Sequence, residues 1–243
     1  MWGQQNSGIQ YRRHRNMFGQ LHQIAGGGWT ADIFGDGSNM LTSNFSNSSL
    51  STVEGNGSGF TVHTGTVAYD SNVPKPGFVK SLTMSQNVAG QRIDYSMQTG
   101  DYSSGVKAYS FWVYTERHDD DDNLVFTVNL RRQNVGSMHI NAYETDRSAT
   151  TNDSFSLIAV DTWTHMCVVD EGSTMRTYKN GSSIGTHAID NKMILDPDYP
   201  RLYYLSDADA RNEVFITGAR MFNRSLSQSE VTTLYNEEPA YGS

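Results

Sequence analysis

The sequence predicts an all-β sandwich, and three features of its 243 residues support that fold class. Residues 163–169 follow the period-two pattern of a strand with two distinct faces. Asn180-Gly181 lies between two strand-like runs and is a strong hairpin signal, because a type I′ turn needs positive φ at both central positions. The 22 glycines and 13 tyrosines, with few helical patterns, favour many short strands joined by turns. A sandwich of this length is commonly one domain.

Further strands are predicted along the chain from short runs between turn residues. They cover residues 60–69, 81–84, 91–97, 108–115, 123–130 and 136–143, followed by 163–169 and 174–178. Pro74 and Pro76 place residues 74–77 in a loop, since proline cannot donate to a central ladder. Short strands at this spacing indicate a sandwich or jelly roll.

One short C-terminal helix completes the predicted elements. Ser227, followed three residues later by Glu230, forms a capping box, and Leu226 with Val231 forms a hydrophobic staple. An apolar stripe follows until Pro239 stops the helix. We therefore interpret Glu230 as a helix cap and not as a catalytic acid.

The first 31 residues differ from the rest of the chain. They contain three arginines and no acid, a charge of +3 within a total of −8, so the remainder carries −11. Glycines at positions 26–28 then resemble a hinge. We expect an extended basic arm that docks on a partner chain or, alternatively, on its own domain. Its assembly contacts are predicted to be Trp2, Tyr11, Arg12, Arg13, Arg15 and Phe18.

The order of motifs resembles the laminin-G-like, concanavalin-A-like jelly-roll domains. The resemblance rests on W-x-H at 163–165, D-x-G-S at 170–173, Y-x-N-G at 178–181, N-R-x-L-S at 223–227 and the aromatic strand YSFWVY at 109–114. The phrase IFGDGS at 33–38 is similar to one that often precedes such domains in bacteriophage virion proteins. The resemblance covers about residues 79–238. With the charge pattern it divides the chain into an arm at 1–31, a turn-rich lead-in with the first strands at 32–78, and a laminin-G-like jelly roll at 79–243.

Acidic clusters are the candidates for a metal site. Crowded carboxylates repel one another unless they are solvated or bind a cation, and a cluster of oxygen ligands suits calcium, which many relatives of this fold bind. The longer run lacks the regular spacing of a dedicated loop, so an exposed acidic turn is the alternative. The candidate calcium ligands are Asp119, Asp120, Asp121, Asp122, Asp207 and Asp209.

Glycan chemistry gives a second set of candidates. Glu144 and Asp146 are spaced like two of the acids of glucanases on this fold, but Arg147, Ser148 and Ala149 stand where a third acid is expected, which favours a solvated strand end. Aromatic planes and polar groups near loops suit sugar binding, although tyrosines on strands more often serve packing. The candidate glycan-binding residues are Tyr199, Tyr203, Tyr204, His118 and Arg211. Trp112 and Trp163 are predicted to be core residues.

Charge and composition restrict the classes of function. The acidic body argues against nucleic acid as a partner, no apolar run is long enough to insert in a membrane, and the start of the chain carries no export signal. Cys167 is the single cysteine, which excludes an intrachain disulfide.

We therefore expect a non-enzymatic structural and binding protein. The resemblance implies a bacteriophage virion component, such as a capsid decoration, fibre or tail protein, that folds in the host cytoplasm before assembly. Its expected partners are other virion proteins or identical subunits, contacted through the arm, and surface glycans. The alternatives are a free lectin or glycoside-active enzyme of the same fold, and an adhesive module of a cell-surface protein, which the missing export signal disfavours.

Overall fold

The computed structural model describes residues 32–43, 45, 48, 50, 54–55, 59–84, 91–96, 106–116, 123–125, 128–133, 137–143, 150–156, 158–188, 201–205 and 214–237. These residues form two antiparallel sheets and one short C-terminal helix, so the predicted all-β class is confirmed. The predicted arm, residues 1–31, lies outside them, and the proposed domain boundaries stay a prediction. No helix within these ranges has the length and apolarity to cross a membrane.

The described residues contain sixteen strands and the helix α1. Their bounds are β1 Asn39–Ser43, β2 Glu54–Gly55, β3 Gly59–Thr64, β4 Val67–Asp70, β5 Ser81–Met84, β6 Gln91–Ser96, β7 Ala108–Thr115, β8 Asn123–Val125, β9 Val128–Gln133, β10 Ser137–Tyr143, β11 Thr150–Ser156, β12 Thr164–Asp170, β13 Thr174–Lys179, β14 Ser182–Ala188, β15 Arg201–Leu205, β16 Val214–Phe222 and α1 Gln228–Asn236.

These strands form two sheets that pack face to face. One sheet has nine described strands, with β14-β13-β12-β7-β16-β1-β2 in order, β5 paired with β16, and β4 paired with β5. The other has seven described strands in the order β11-β10-β9-β8-β15-β6-β3. Because β1 pairs with β16, strands from both ends of the described chain lie side by side in the nine-stranded sheet.

Most predicted strands agree with the structure, and two of them divide. The strands predicted at 81–84 and 108–115 have those bounds. The strand predicted at 60–69 is two strands, β3 and β4, because the chain turns at Gly65, where φ is 95°. The strand predicted at 123–130 likewise divides into β8 and β9. Asn180 and Gly181 have φ of 50° and 76°, as the predicted hairpin turn requires.

The core between the sheets takes alternate residues of the central strands. Tyr109, Phe111 and Val113 of β7 are completely buried there with Val168 of β12. Ile93 of β6 belongs to the same cluster, and it lies in the seven-stranded sheet. The sandwich thus buries one face of each sheet, as the period of two along a strand requires.

The opposite face of the nine-stranded sheet is also covered. Helix α1 places Val231 and Leu234 against Cys167 and Phe222, and residues 71–80 cross another part of the same face above Trp112. Every residue of β12 and β16 is therefore buried. We call this second face the outer face.

Two of the tryptophans belong to this outer face. Trp112 is buried, as predicted, but it contacts Phe78 and not the other sheet. Trp163 is only partly buried, so its prediction as a core residue is wrong. The reason is that residue 163 precedes β12 and lies at the end of the sheet, where helix α1 and residues 71–80 cover the outer face incompletely.

The helix begins as the sequence predicts. The Ser227 side chain accepts a hydrogen bond from the Glu230 amide, and the Glu230 carboxylate accepts one from the Ser227 amide at 2.8 Å. The interpretation of Glu230 as a cap is therefore confirmed.

Candidate functional site

Most of the residues predicted to form sites lie outside the described residues. This holds for all six candidate calcium ligands, for the Glu144 and Asp146 pair, for the whole arm, and for Tyr199, His118 and Arg211. These assignments stay predictions. In the part of the chain that the structure describes, no group of three or more histidines, cysteines or acids could hold a metal ion.

Tyr203 and Tyr204 are the exceptions, since both belong to β15. Tyr203 pairs with Val125 and Ile93, whereas Tyr204 pairs with Leu124 and Arg92. Consecutive positions of a strand belong to opposite faces of the sheet. Their role in glycan binding stays a prediction.

A partly exposed cluster at one end of the outer face was not predicted. We call it the Tyr114 patch and define it as Asn72, Tyr114, Asp161 and Trp163. The rings of Tyr114 and Trp163 have centroids 5.6 Å apart and planes at 46°. Tyr114 Oη donates to Asp161 Oδ1 at 3.2 Å, and Trp163 Nε1 donates to Asn72 Oδ1 at 2.9 Å.

Strand geometry explains how the two aromatic side chains meet. Ala108, Ser110, Trp112 and Tyr114 alternate along β7 and share the outer face. The pairing of Thr164 with Val113 brings the residue before β12 beside Tyr114. Tyr114 is thus flanked by the two neighbouring strands.

The turn before β12 supplies the acid of the patch. Asp161 has φ of 54° and its amide donates to the Thr115 carbonyl at 2.9 Å, which holds the turn against the end of β7. Aspartate tolerates this left-handed conformation better than most residues. On the other side of Tyr114, the Phe215 ring meets it edge-on, with centroids 5.6 Å apart.

The surroundings of the Tyr114 hydroxyl disfavour its ionisation. Burial, the hydrogen bond to Asp161 and the negative charges of Asp161 and Glu116 raise the pKa of Tyr114, and a hydrogen bond with the Asn72 side chain opposes part of this change. A neutral phenol donates a hydrogen bond to a carboxylate, as Tyr114 does here. The patch therefore offers two aromatic rings, an amide and a carboxylate in one partly exposed place.

A second polar cluster lies beneath the loop of residues 71–80. His165 Nε2 is 2.8 Å from Ser110 Oγ, and the His165 ring lies 5.2 Å from the Trp112 ring. Lys75 Nζ lies 5.0 Å from the centre of the Trp112 ring and donates to the Tyr235 carbonyl. The cation, the rings and the histidine together hold the loop and the helix on the sheet.

The spacing of Ser110 and His165 is that of a nucleophile and a base, but their surroundings prevent that chemistry. The two residues are only 2% and 1% exposed. Burial, together with the charges of Lys75 and Arg220, lowers the pKa of His165 to about 3. An imidazole with this pKa, closed off from solvent, does not serve as a general base near neutral pH. This pair is therefore structural.

A buried ion pair fixes the end of helix α1. Arg220 in β16 is completely buried, and its Nη1 lies 2.7 Å from Glu237 Oε2. Its Nη2 donates to Glu237 Oε1 at 2.8 Å, so the pair is bidentate. Burial lowers the pKa of Arg220, and the charges of Glu237 and Asp32 oppose this change.

An exposed network joins the IFGDGS segment to the helix. The Phe34 and Phe222 rings have centroids 5.5 Å apart, and the Arg224 guanidinium lies 5.2 Å from the Phe34 ring. Arg224 Nη2 lies 2.7 Å from Asp36 Oδ2 and 2.6 Å from Glu230 Oε1. In this structure the segment therefore covers the sheet beside the helix.

Both carboxyls of this network have low pKa values. Hydrogen bonds from Ser38, with a further contribution from Arg224, lower the pKa of Asp36 to about 2. The Arg224 hydrogen bond lowers the pKa of Glu230 to about 2, and the helix cap adds to the effect.

Comparison with known proteins identifies the fold family. Residues 93–232 match the family model described as the concanavalin A-like lectin/glucanases superfamily, which is more than half of the chain. The chain belongs to this superfamily. No curated protein sequence matches it.

Solved structures with the same superfamily fold include binding domains of toxins. The chain is similar to the binding domain of Paraclostridial Mosquitocidal Protein 1, with a TM-score of 0.62 and 14% identity over 82% of this chain and 52% of that one. It is also similar to the HCR/D F1240A mutant, with a TM-score of 0.57 and 15% identity over 82% and 51% of the two chains.

A third structure is botulinum neurotoxin type C, which depends on interaction with two ganglioside molecules to enter cells. Its TM-score is 0.55 and its identity 14%, over 82% and 51% of the two chains. The present chain thus spans about half the length of these three structures. Identities this low show the fold alone.

Sequence reasoning missed the Tyr114 patch, although two of its residues belong to motifs that carry the superfamily resemblance. Tyr114 ends the aromatic strand and Trp163 begins W-x-H. The alternation along β7 is a signal that could have placed Tyr114 on the same face as Trp112. No sequence signal links Asn72 to Trp163, because 91 positions separate them.

Proposed function

We propose that this chain is a non-enzymatic binding protein that recognises surface glycans through its concanavalin A-like jelly roll. The observation that carries the proposal is the Tyr114 patch, in which two partly exposed aromatic rings lie beside a carboxylate and an amide. A pyranose has an apolar face that packs on an aromatic ring and hydroxyls that bond to carboxylate and amide groups. The patch offers both kinds of contact.

A binding role is favoured over hydrolysis. The Ser110 and His165 pair is buried, and its histidine is held neutral, so it gives a substrate no accessible base. Toxin binding domains are also among the structures with this fold. Both observations support a chain that binds without catalysing a reaction.

Glycan binding is tested with the full chain on an immobilised panel of neutral, amino, uronic and sialylated oligosaccharides. We expect binding to at least one class that competes with the same free sugar. An absence of binding to every class would overturn the proposed function.

We further propose that the protein is a bacteriophage virion component, assembled in the host cytoplasm and anchored by its basic arm. Support comes from the charge contrast between residues 1–31, at +3 within a total of −8, and the acidic remainder, and from the resemblance of the IFGDGS phrase to virion proteins. Opposite charges on an extended segment and on a neighbouring subunit favour assembly.

Removal of the arm tests this second part. Deleting residues 1–28 should leave the β-domain folded, because the described strands begin at Asn39, and should prevent incorporation into the parent particle. Particle composition after purification gives the measurement. The anchor role is refuted if the truncated chain unfolds while the full chain is a stable monomer, because the arm then belongs to its own core.

A further inference from the structure

We infer that the Tyr114 patch binds uncharged pyranosides and rejects glycans that end in sialic or uronic acids. The inference rests on the proposed glycan-binding function and specifies its ligand. It follows from three observations: the aromatic rings are held in place, the nearby charges are negative, and the polar groups of the patch suit sugar hydroxyls.

The aromatic pair is preorganised. Trp163 is held by its bond to the Asn72 side chain, and Tyr114 is held by its bond to Asp161 and by the edge of the Phe215 ring. Each ring therefore loses little conformational freedom when a ligand packs on it. Preorganisation of this kind raises affinity because the cost of ordering side chains is already met by folding.

The charges that act on the Tyr114 hydroxyl among the described residues are negative, and Lys75 of the same loop as Asn72 donates to the Tyr235 carbonyl beside the Trp112 ring. Asp161 and Glu116 are both exposed, and both act on the Tyr114 hydroxyl through their charge. Asp70, also exposed, lies two residues before Asn72. A ligand carboxylate brought to Tyr114 would meet this field, and like charges brought together weaken binding.

The polar groups suit hydroxyls and not carboxylates. Asp161 contributes an acceptor-only side chain, and hydroxyls are donors that it can bind. Asn72 accepts from Trp163 with its amide oxygen and also hydrogen-bonds the Tyr114 hydroxyl, so its part is to position the two rings. A ligand carboxylate binds to cations or hydrogen-bond donors. In the described part of the patch it would meet the Asp161 carboxylate, which has the same charge and donates no hydrogen bond. Neutral hexosides, with hydroxyls all round the ring, fit this set of groups.

Isothermal titration calorimetry of the full chain tests the inference. The probes are the neutral oligosaccharide that binds best on the immobilised panel and the same oligosaccharide bearing a terminal sialic acid. We expect the neutral probe to bind at least about tenfold more tightly, since charge repulsion of this size is ordinary near a protein surface.

Three variants assign the effect to the patch. Asp161→Asn removes the negative charge, keeps the shape of the side chain and tolerates positive φ, so it should reduce the difference in affinity between the neutral and the sialylated probe. Tyr114→Phe keeps the ring and loses one hydroxyl, so it should weaken neutral binding only slightly. Tyr114→Leu removes the ring and should weaken neutral binding about tenfold, the order expected for loss of an aromatic contact. Glu171→Gln is the matched control, since Glu171 is an exposed acid beyond the far end of β12.

The outcomes separate this inference from the function on which it rests. If the sialylated and neutral probes bind equally, the inferred preference for uncharged glycans fails. If Tyr114→Leu folds with unchanged affinity, the patch is not the site. Glycan binding stands in both cases. If Glu171→Gln reduces the affinity difference between the two probes as much as Asp161→Asn does, the difference depends on the net charge of the protein and not on the patch, and the inference fails. If neither probe binds the full chain, the proposed function fails as well. Far-ultraviolet circular dichroism and urea unfolding establish that each variant is folded.

Discussion

Replacing Glu237 by alanine should destabilise the protein severely, although Glu237 lies at the end of the last described helix. Its carboxylate is the bidentate partner of the completely buried Arg220, at 2.7 Å and 2.8 Å. The Glu237 side chain is itself only 11% exposed. Glu237→Ala would therefore leave a buried guanidinium without its bidentate carboxylate partner.

The expected magnitude follows from the burial of both partners. Removing one member of a buried ion pair costs about 3–5 kcal/mol, because the remaining charge stays desolvated. The charge of Asp32 also acts on Arg220, which places the expected loss near the lower end, at about 3 kcal/mol. For a chain of this size such a loss lowers the melting temperature by about 10 °C.

Urea unfolding, followed by tryptophan fluorescence, measures the loss. Glu171→Ala is the control, since Glu171 pairs with Arg176 at a surface where both side chains are about one-third exposed, at 31% and 35%. It should change the stability little, because water screens such a pair. Replacing Arg220 by methionine as well as Glu237 by leucine should recover part of the loss. A loss from Glu237→Ala below about 1 kcal/mol, the size seen for exposed pairs, would refute the reasoning.

Three further predictions concern acid, packing and calcium. The pKa values of Asp36 and Glu230 are both about 2, against ordinary values of 3.8 and 4.5, so the two carboxylates stabilise the fold at pH values above the ordinary pKa, and this stability is lost as the pH falls toward 2. The urea midpoint should therefore decrease between pH ~6 and pH ~3, and an unchanged midpoint would contradict the Arg224 network. Gly218→Ala should cost more than about 1 kcal/mol in urea unfolding, because φ is 62° there and a Cβ would meet the Phe78 ring at 3.0 Å; an unchanged stability would contradict this close approach of Phe78 to Gly218. Millimolar calcium should raise the melting temperature by mass action, and Asp120→Asn with Asp121→Asn should abolish the rise; no rise in the unmutated chain refutes the acidic calcium site.

Local signals were readable from the sequence because their physics is local. The capping box of Ser227 and Glu230 joins residues three positions apart, and the Asn180-Gly181 turn depends on the φ preferences of two adjacent residues. The strand at 108–115 was predicted with its correct bounds for the same reason. The superfamily motifs added the order in which such elements join.

The candidate site depended on contacts that the sequence does not encode locally. Of the Tyr114 patch, Tyr114 and Trp163 lie in motifs that the sequence displays, but Asn72 reaches Trp163 across 91 positions. The Arg224 bond to Asp36 spans 188 positions and gives the IFGDGS segment a place on the sheet. Pairing of this kind is set by strand register and sheet order, which follow from packing the whole chain.

The sequence alone thus determined the fold class, the hairpin turn and the helix with its cap, while the tertiary structure decided which face each residue serves. The physical reason is that the nine-stranded sheet is covered on both faces. In β12, where every residue is buried, polarity no longer distinguishes the two faces, so His165 and Cys167 lie on the outer face while their neighbours Met166 and Val168 fill the sandwich. Trp163, one residue before that strand, lies where the cover ends, and only the arrangement of the loop and the neighbouring strands left it partly exposed.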